Sequence, residues 1–314
     1  ALVGFTSKLA SAWATNNSAL CVGLDPDISK LPVHLKADPL GIQKFCIDIV
    51  DATADTVCAF KPQIAYFAAV GAEAQLQAVC DHIRTQYPHI VLILDAKRGD
   101  IGDTATLYAR EAFERYLADA VTVNPYLGTD SLEPFLRTSG KGTIVLCRTS
   151  NPGSGELQSL RTNDTSEPLF ETIARRAANE WSLRADVGLV VGATQPAELR
   201  RVREIVGDLP LLVPGVGAQG GDPASVIANG ATADGTGLIV NSSRAVIYAS
   251  AGDDYAAAGV PMLPVVTDVR SVTGTAAERA GRALRHMLLR LANAGEGATL
   301  SLDNGKLVVR GDTV

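Results

Sequence analysis

Eight short apolar runs recur along the chain, most of them followed by turn residues and then by a segment with helical periodicity. The runs are Ala19–Asp25, Val57–Pro62, Ile90–Asp95, Ala120–Asn124, Thr143–Arg148, Val187–Gly192, Pro210–Pro214 and Gly237–Asn241. Their length and enrichment in Val, Ile and Leu predict buried strands, and the stretches Leu40–Thr56, Gly71–Tyr87, Thr104–Leu117, Glu167–Leu183 and Pro196–Val206 predict helices between them. Eight alternations of strand and helix favour an α/β fold closed into a (β/α)8 TIM barrel over an open sheet. A last helix is expected over Ala276–Ala294, where Ala277, Ala280, Leu284, Met287, Leu288 and Leu291 share one face. Two segments exceed the barrel's needs: an extended loop after strand 5, Ser150–Ser166, and a C-terminal tail, in which Asp303-Asn-Gly305 suggests a hairpin. The 314 residues are expected to form a single domain with its core at about 18–294 and an extension at about 295–314.

Composition narrows the class. Hydrophobic residues at 46% and charged residues at 20% describe a globular chain, and no apolar run approaches the roughly 20 residues of a membrane-spanning helix. The first residues lack the basic and apolar pattern of an export signal, so a cytoplasmic location is expected. A net charge of −6 without a basic stripe argues against a nucleic-acid partner. Five cysteines, with Cys21, Cys58 and Cys147 inside apolar runs, read as core residues, neither a disulfide frame nor a metal site, and the four histidines read as solvated.

Charge at strand ends is the exception to this bland picture. Alternation places Val91, Ile93, Asp95 and Lys97 on one face of the third strand, and Lys61 on the face of Val57 and Ala59 in the second. After Gly99 the chain can turn and bring Asp100 back, making an alternating array of Lys61, Asp95, Lys97 and Asp100. Such an array could be a structural ion network, but buried pairs are a poor way to stabilise a barrel, so chemistry is the stronger reading. Asp25 ends the first strand beside small residues that leave room for a ligand. After strand 7, Pro214–Asp222 contains Gly215, Gly217, Gly220 and Gly221, whose backbone N–H groups can surround an anion, and Arg244 follows strand 8 in Asn241-Ser-Ser-Arg244. Phosphate sites after strands 7 and 8 are common in this architecture.

Phe60-Lys-Pro-Gln63, Asp95-Ala-Lys-Arg-Gly-Asp-Ile-Gly102, Pro214–Asp222 and Asn241-Ser-Ser-Arg244 together resemble the orotidine 5′-phosphate decarboxylases, in a longer bacterial form. The resemblance implies conversion of orotidine 5′-monophosphate to uridine 5′-monophosphate and carbon dioxide, without metal or cofactor. It implies that Lys97 protonates C6 and that Asp95 faces the departing carboxylate. Asp25 and Lys61 resemble ribose contacts, Ser150 a pyrimidine contact, and Gln219 and Arg244 phosphate contacts, with Gln219 able to bridge to Ser150. It further implies a homodimer in which Asp100 and Thr104 reach the neighbouring site. Three alternatives stay open: a magnesium-dependent sugar-phosphate decarboxylase or aldolase sharing Asp-x-Lys-x-x-Asp, a Schiff-base aldolase using Lys97 or Lys61, and a silent phosphate-ligand sensor. Asn124 has no role beyond its position at a strand end, or a turn before Pro125.

Overall fold

A computed structural model describes residues 4–216, 221–259, 299–303 and 306–310. All eight runs form strands: β1 Leu20–Leu24, β2 Ala59–Pro62, β3 Val91–Arg98, β4 Ala120–Val123, β5 Gly142–Arg148, β6 Asp186–Val191, β7 Leu211–Val213 and β8 Leu238–Ser242. Each pairs in parallel with its sequence neighbour, and β8 returns to β1 through Cys21 opposite Asn241, closing the barrel. The expected helices lie between them, those at Gly102–Arg110 and Leu169–Arg176 finishing in single π-turns at Glu111–Arg115 and Ala177–Trp181. Among the described residues no helix is long and apolar enough to cross a membrane.

Strand alternation divides the apolar residues into two cores. Cys21, Ala59, Ile93, Ile144, Leu212 and Ile239 point inward, while Val22, Phe60, Leu94, Val145 and Val213 pack under the helices. One expected facing is corrected: Val57 precedes β2 and joins the outer core, whereas Cys58 and Ala59 both belong to the inner one. The irregular entry to the strand breaks the alternation there. All five cysteines are buried free thiols, and burial pushes Cys21 and Cys80 up to about 12.

An N-terminal helix, α1, spans Phe5–Asn16 and was not legible as part of the strand and helix alternation. Phe5, Leu9, Ala12 and Trp13 share one face of it and join the inner core. Trp13 Nε1 donates to the Leu238 carbonyl at 2.9 Å, and Asn16 Nδ2 donates to the carbonyls of Ala54 (2.8 Å) and Val57 (2.7 Å). These partners lie where strands begin, so α1 closes that end of the barrel and leaves the opposite end as the accessible mouth. Leu9→Ala is expected to cost about 2–5 kcal/mol of stability by opening a cavity under the barrel, measured by denaturant unfolding, with activity per folded molecule preserved.

The chain divides into two units, residues 1–268 and 269–314. In the second, Thr299–Asp303 pairs antiparallel with Lys306–Arg310, Asp303 opposite Lys306, which is the pairing a hairpin at Asp303-Asn-Gly305 requires. The expected helix Ala276–Ala294 lies outside the described residues.

The loop after β5 is tied down along its first half. A 3-10 turn at Pro152–Ser154 leads into a helical turn at Gly155–Gln158. Arg148, buried at the end of β5, bonds through its guanidinium to Glu198 and Ser154. Gln158 accepts from the Thr149 N–H and donates to its hydroxyl, both at 2.8 Å.

Candidate active site

Three of the four charges in the expected array meet at the mouth of the barrel. Lys61, near the end of β2, places Nζ 2.8 Å from Asp95 Oδ2, and Lys97 places Nζ 2.7 Å from Asp95 Oδ1. Lys61 and Asp95 are 4% and 6% exposed, while the Lys97 side chain is 46% exposed, so the carboxylate joins a sealed cation to an accessible one. Burial alone would raise the Asp95 carboxyl; Lys61 and Lys97 overcome it and hold Asp95 well below the usual carboxylate range. Burial likewise opposes charge on Lys61, but Asp95 and then Asp25 outweigh it and hold the ammonium above its ordinary value. Both groups are therefore charged across the physiological range.

The strand carrying this pair is irregular. Between Leu94 and Arg98 the register of β3 against β4 shifts: Leu94 faces Val121 and Arg98 faces Val123. The residues between them bulge opposite Thr122, and Lys97 has a φ of 48°, uncommon for a residue with a side chain. Thr122 Oγ1 accepts from the N–H groups of Ala96 and Lys97, each at 3.0 Å, and donates to Asp95 Oδ1 at 2.8 Å. Sequence reading passed over Thr122, although a hydroxyl on the inward parity of Ala120-Val-Thr-Val was a usable signal. Arg98 faces away from the site, paired with Glu111 at 2.8 Å and lying over the Tyr108 ring.

Asp100 does not join the array: its carboxylate lies within ion-pair distance of neither Lys61 nor Lys97, and Oδ1 accepts from the Ile101 N–H at 2.8 Å. The cluster within one chain is therefore made by Lys61, Asp95 and Lys97 without Asp100, for which the family resemblance implies a reach to the neighbouring site. Beyond the turn the chain enters the helix Gly102–Arg110, whose first residues are exposed, while Asp100 itself is half-buried.

Asp25 follows β1, with its Oδ1 buried and unpartnered among the described residues. Tyr248 holds the backbone there, its hydroxyl donating to the Asp25 carbonyl and accepting from the Asp27 N–H, each at 2.6 Å. Asn241, on the inner face of β8, is also buried with Oδ1 unpartnered among the described residues. At the base of the glycine-rich loop, Gly221 N–H donates to Gly215 O at 3.0 Å; a Cβ on Gly221 would fall 2.6 Å from that oxygen, so only glycine permits this closure.

The family model for orotidine 5′-phosphate decarboxylase / HUMPS proteins matches residues 18–259. This chain belongs to that family. It is 60% identical over 254 residues to the orotidine 5′-phosphate decarboxylase of Dechloromonas aromatica, covering 81% of this chain and 93% of that one. The corresponding protein of Janthinobacterium sp. is 57% identical over 254 residues, with the same coverage of both chains. Among solved structures, Leishmania donovani OMP decarboxylase superposes with a TM-score of 0.70 at 38% identity, covering 83% of this chain and 96% of that one. A putative Toxoplasma gondii orotidine-monophosphate decarboxylase superposes at 0.75 with 35% identity, covering 91% and 99%.

Of the remaining positions singled out by the family resemblance, Thr104, Ser150 and Arg244 each lie in a segment that follows a barrel strand. Thr104 is exposed on the helix Gly102–Arg110, and Ser150 follows β5, where the Gly192 N–H donates to the Arg148 carbonyl at 2.7 Å. Arg244 is exposed at the start of a four-residue helix after β8. Gly217, Gln219 and Gly220, and with them the Gln219 to Ser150 bridge, lie outside the described residues. Asn124 caps the turn Pro125–Leu127, its Oδ1 accepting from the Tyr126 N–H at 3.0 Å, which is the turn reading of that residue.

Proposed function

We propose that this chain decarboxylates orotidine 5′-monophosphate to uridine 5′-monophosphate and carbon dioxide, a step of pyrimidine biosynthesis, with Lys97 as the proton donor. The observation that carries the reading is the Lys61–Asp95–Lys97 cluster at the barrel mouth, in which Lys97 alone of the three is substantially exposed. The bond from ring carbon C6 to the carboxylate carbon breaks, its electron pair stays on C6, and carbon dioxide departs. No neighbouring electron sink exists on that carbon, so a fixed ammonium must stabilise the developing charge. Lys97 then transfers a proton to C6 and recovers one from water. Asp95 crowds the departing carboxylate and, through Lys61, is itself kept charged.

The other family positions divide the rest of the substrate: Asp25 and Lys61 take the ribose, Ser150 the pyrimidine, and Gln219, Arg244 and the loop glycines the phosphate. Phosphate binding remote from the broken bond contributes to catalysis by closing and drying the site. The rival metal reading needs a set of oxygen ligands, and both Asp95 oxygens are engaged by ammonium groups and the Thr122 hydroxyl. A Schiff base needs a lysine with a lowered pKa, the reverse of Lys61.

The working unit is a homodimer in which Asp100 and Thr104 complete the partner's site. Asp100 leaves its own cluster, and the apolar side chains of Ile101, Leu107, Tyr126 and Leu127 are exposed on the segments around it. Mixing separately inactive Lys97→Ala and Asp100→Ala chains tests this. Reassorted dimers carry one intact site in each heterodimer, so activity should return to about a quarter of the parent's. No recovery after verified subunit exchange overturns the shared site.

A further inference from the structure

We infer that Thr122 is a positioning residue for the decarboxylation, holding the bulge of β3 so that Asp95 and Lys97 meet at the barrel mouth. This rests on the reading of Lys97 as proton donor. A hydroxyl has one donor and two acceptor sites, and Thr122 Oγ1 uses all three: it donates to Asp95 Oδ1 at 2.8 Å and accepts from Ala96 N–H and Lys97 N–H at 3.0 Å each. The need for it follows from the register shift. Where β3 bulges, backbone N–H groups lose their place in the ladder to β4, and a buried N–H without a partner is costly.

Thr122 is 1% exposed and stands on β4 directly across the bulge, so its side chain replaces the missing backbone acceptor. The same contact stabilises the left-handed backbone of Lys97, which a lysine adopts only when its surroundings impose it. Asp95 Oδ1 is shared by the Thr122 hydroxyl and the Lys97 ammonium. One oxygen atom thus couples the backbone shape of the catalytic strand to the orientation of its carboxylate. β-Branching leaves the Thr122 side chain few rotamers, which keeps that coupling stiff.

The test is steady-state kinetics of Thr122→Val and Thr122→Ser beside the parent and Lys97→Ala. Thr122→Val keeps the shape and removes the hydroxyl; kcat should fall on the order of 10- to 100-fold while KM changes by no more than about 3-fold. Affinity for uridine 5′-monophosphate, read as product inhibition, should likewise stay within about 3-fold. Thr122→Ser restores the hydroxyl and should return kcat to within about 5-fold of the parent, a rescue that mere space-filling does not produce. Should Thr122→Val fail to fold, Thr122→Ala against Thr122→Ser is read the same way. If Lys97→Ala loses turnover while the variant without the hydroxyl stays within about 2-fold of the parent, or is matched by Thr122→Ser, the Thr122 proposal alone is overturned. If Lys97→Ala keeps turnover, the Lys97 assignment falls and this proposal with it.

Discussion

Lys97→Ala is expected to lower kcat by about 10⁴-fold or more, since in the proposed mechanism one side chain supplies both the stabilising charge and the proton. The same substitution should leave stability nearly unchanged. The Lys97 side chain is 46% exposed, and its loss leaves Asp95 still bonded to Lys61 and to Thr122. Exposed partners contribute little to folding because water screens them. Loss of orotidine 5′-monophosphate absorbance measures the first effect and thermal unfolding the second. Substantial turnover by a fully folded Lys97→Ala protein contradicts the assignment.

Asp95→Asn should damage both properties. Removing one member of a buried pair leaves the other uncompensated, a change that typically costs about 3–5 kcal/mol. Lys61, 4% exposed and held charged chiefly by Asp95, then faces its burial with Asp25 as the remaining carboxylate, and its pKa falls. Turnover should fall as well, because Lys97 loses the carboxylate that orients it. The pH dependence has a definite sign. The depressed Asp95 contributes stability that is present above the unfolded carboxylate value of about 3.9 and is lost as pH falls through the folded value. The raised Lys61 contributes stability that is complete below about 10.4 and is lost as pH rises through its folded value. Denaturant unfolding should therefore show a gap between parent and Asp95→Asn that is flat through the neutral range and narrows in strong acid and in strong base. A gap that widens in acid contradicts this account of the pair.

The barrel was legible because its strands are buried on both faces. Such strands read as continuous apolar runs, and eight of them separated by helical periodicity admit few topologies. Lys61, Asp95 and Lys97 were legible for a related reason: charge at the end of an apolar run is conspicuous, and alternation tells which charges share a face. Helix α1 escaped because no strand precedes it, although Phe5, Leu9, Ala12 and Trp13 are spaced for one face. Thr122 escaped because a threonine among valines is ordinary in a strand.

By itself the order of apolar and polar residues determined the strand set, the mouth of the barrel and three of its charges, since those depend on local periodicity and burial. Tertiary structure decided what depends on which chains lie side by side. It turned Asp100 out of its own cluster, set α1 as the floor of the barrel, and shifted β3 against β4 so that one hydroxyl holds both a carboxylate and the backbone of Lys97. Register between strands is an agreement between two distant segments, and a hydrogen bond across it exists only once both are in place.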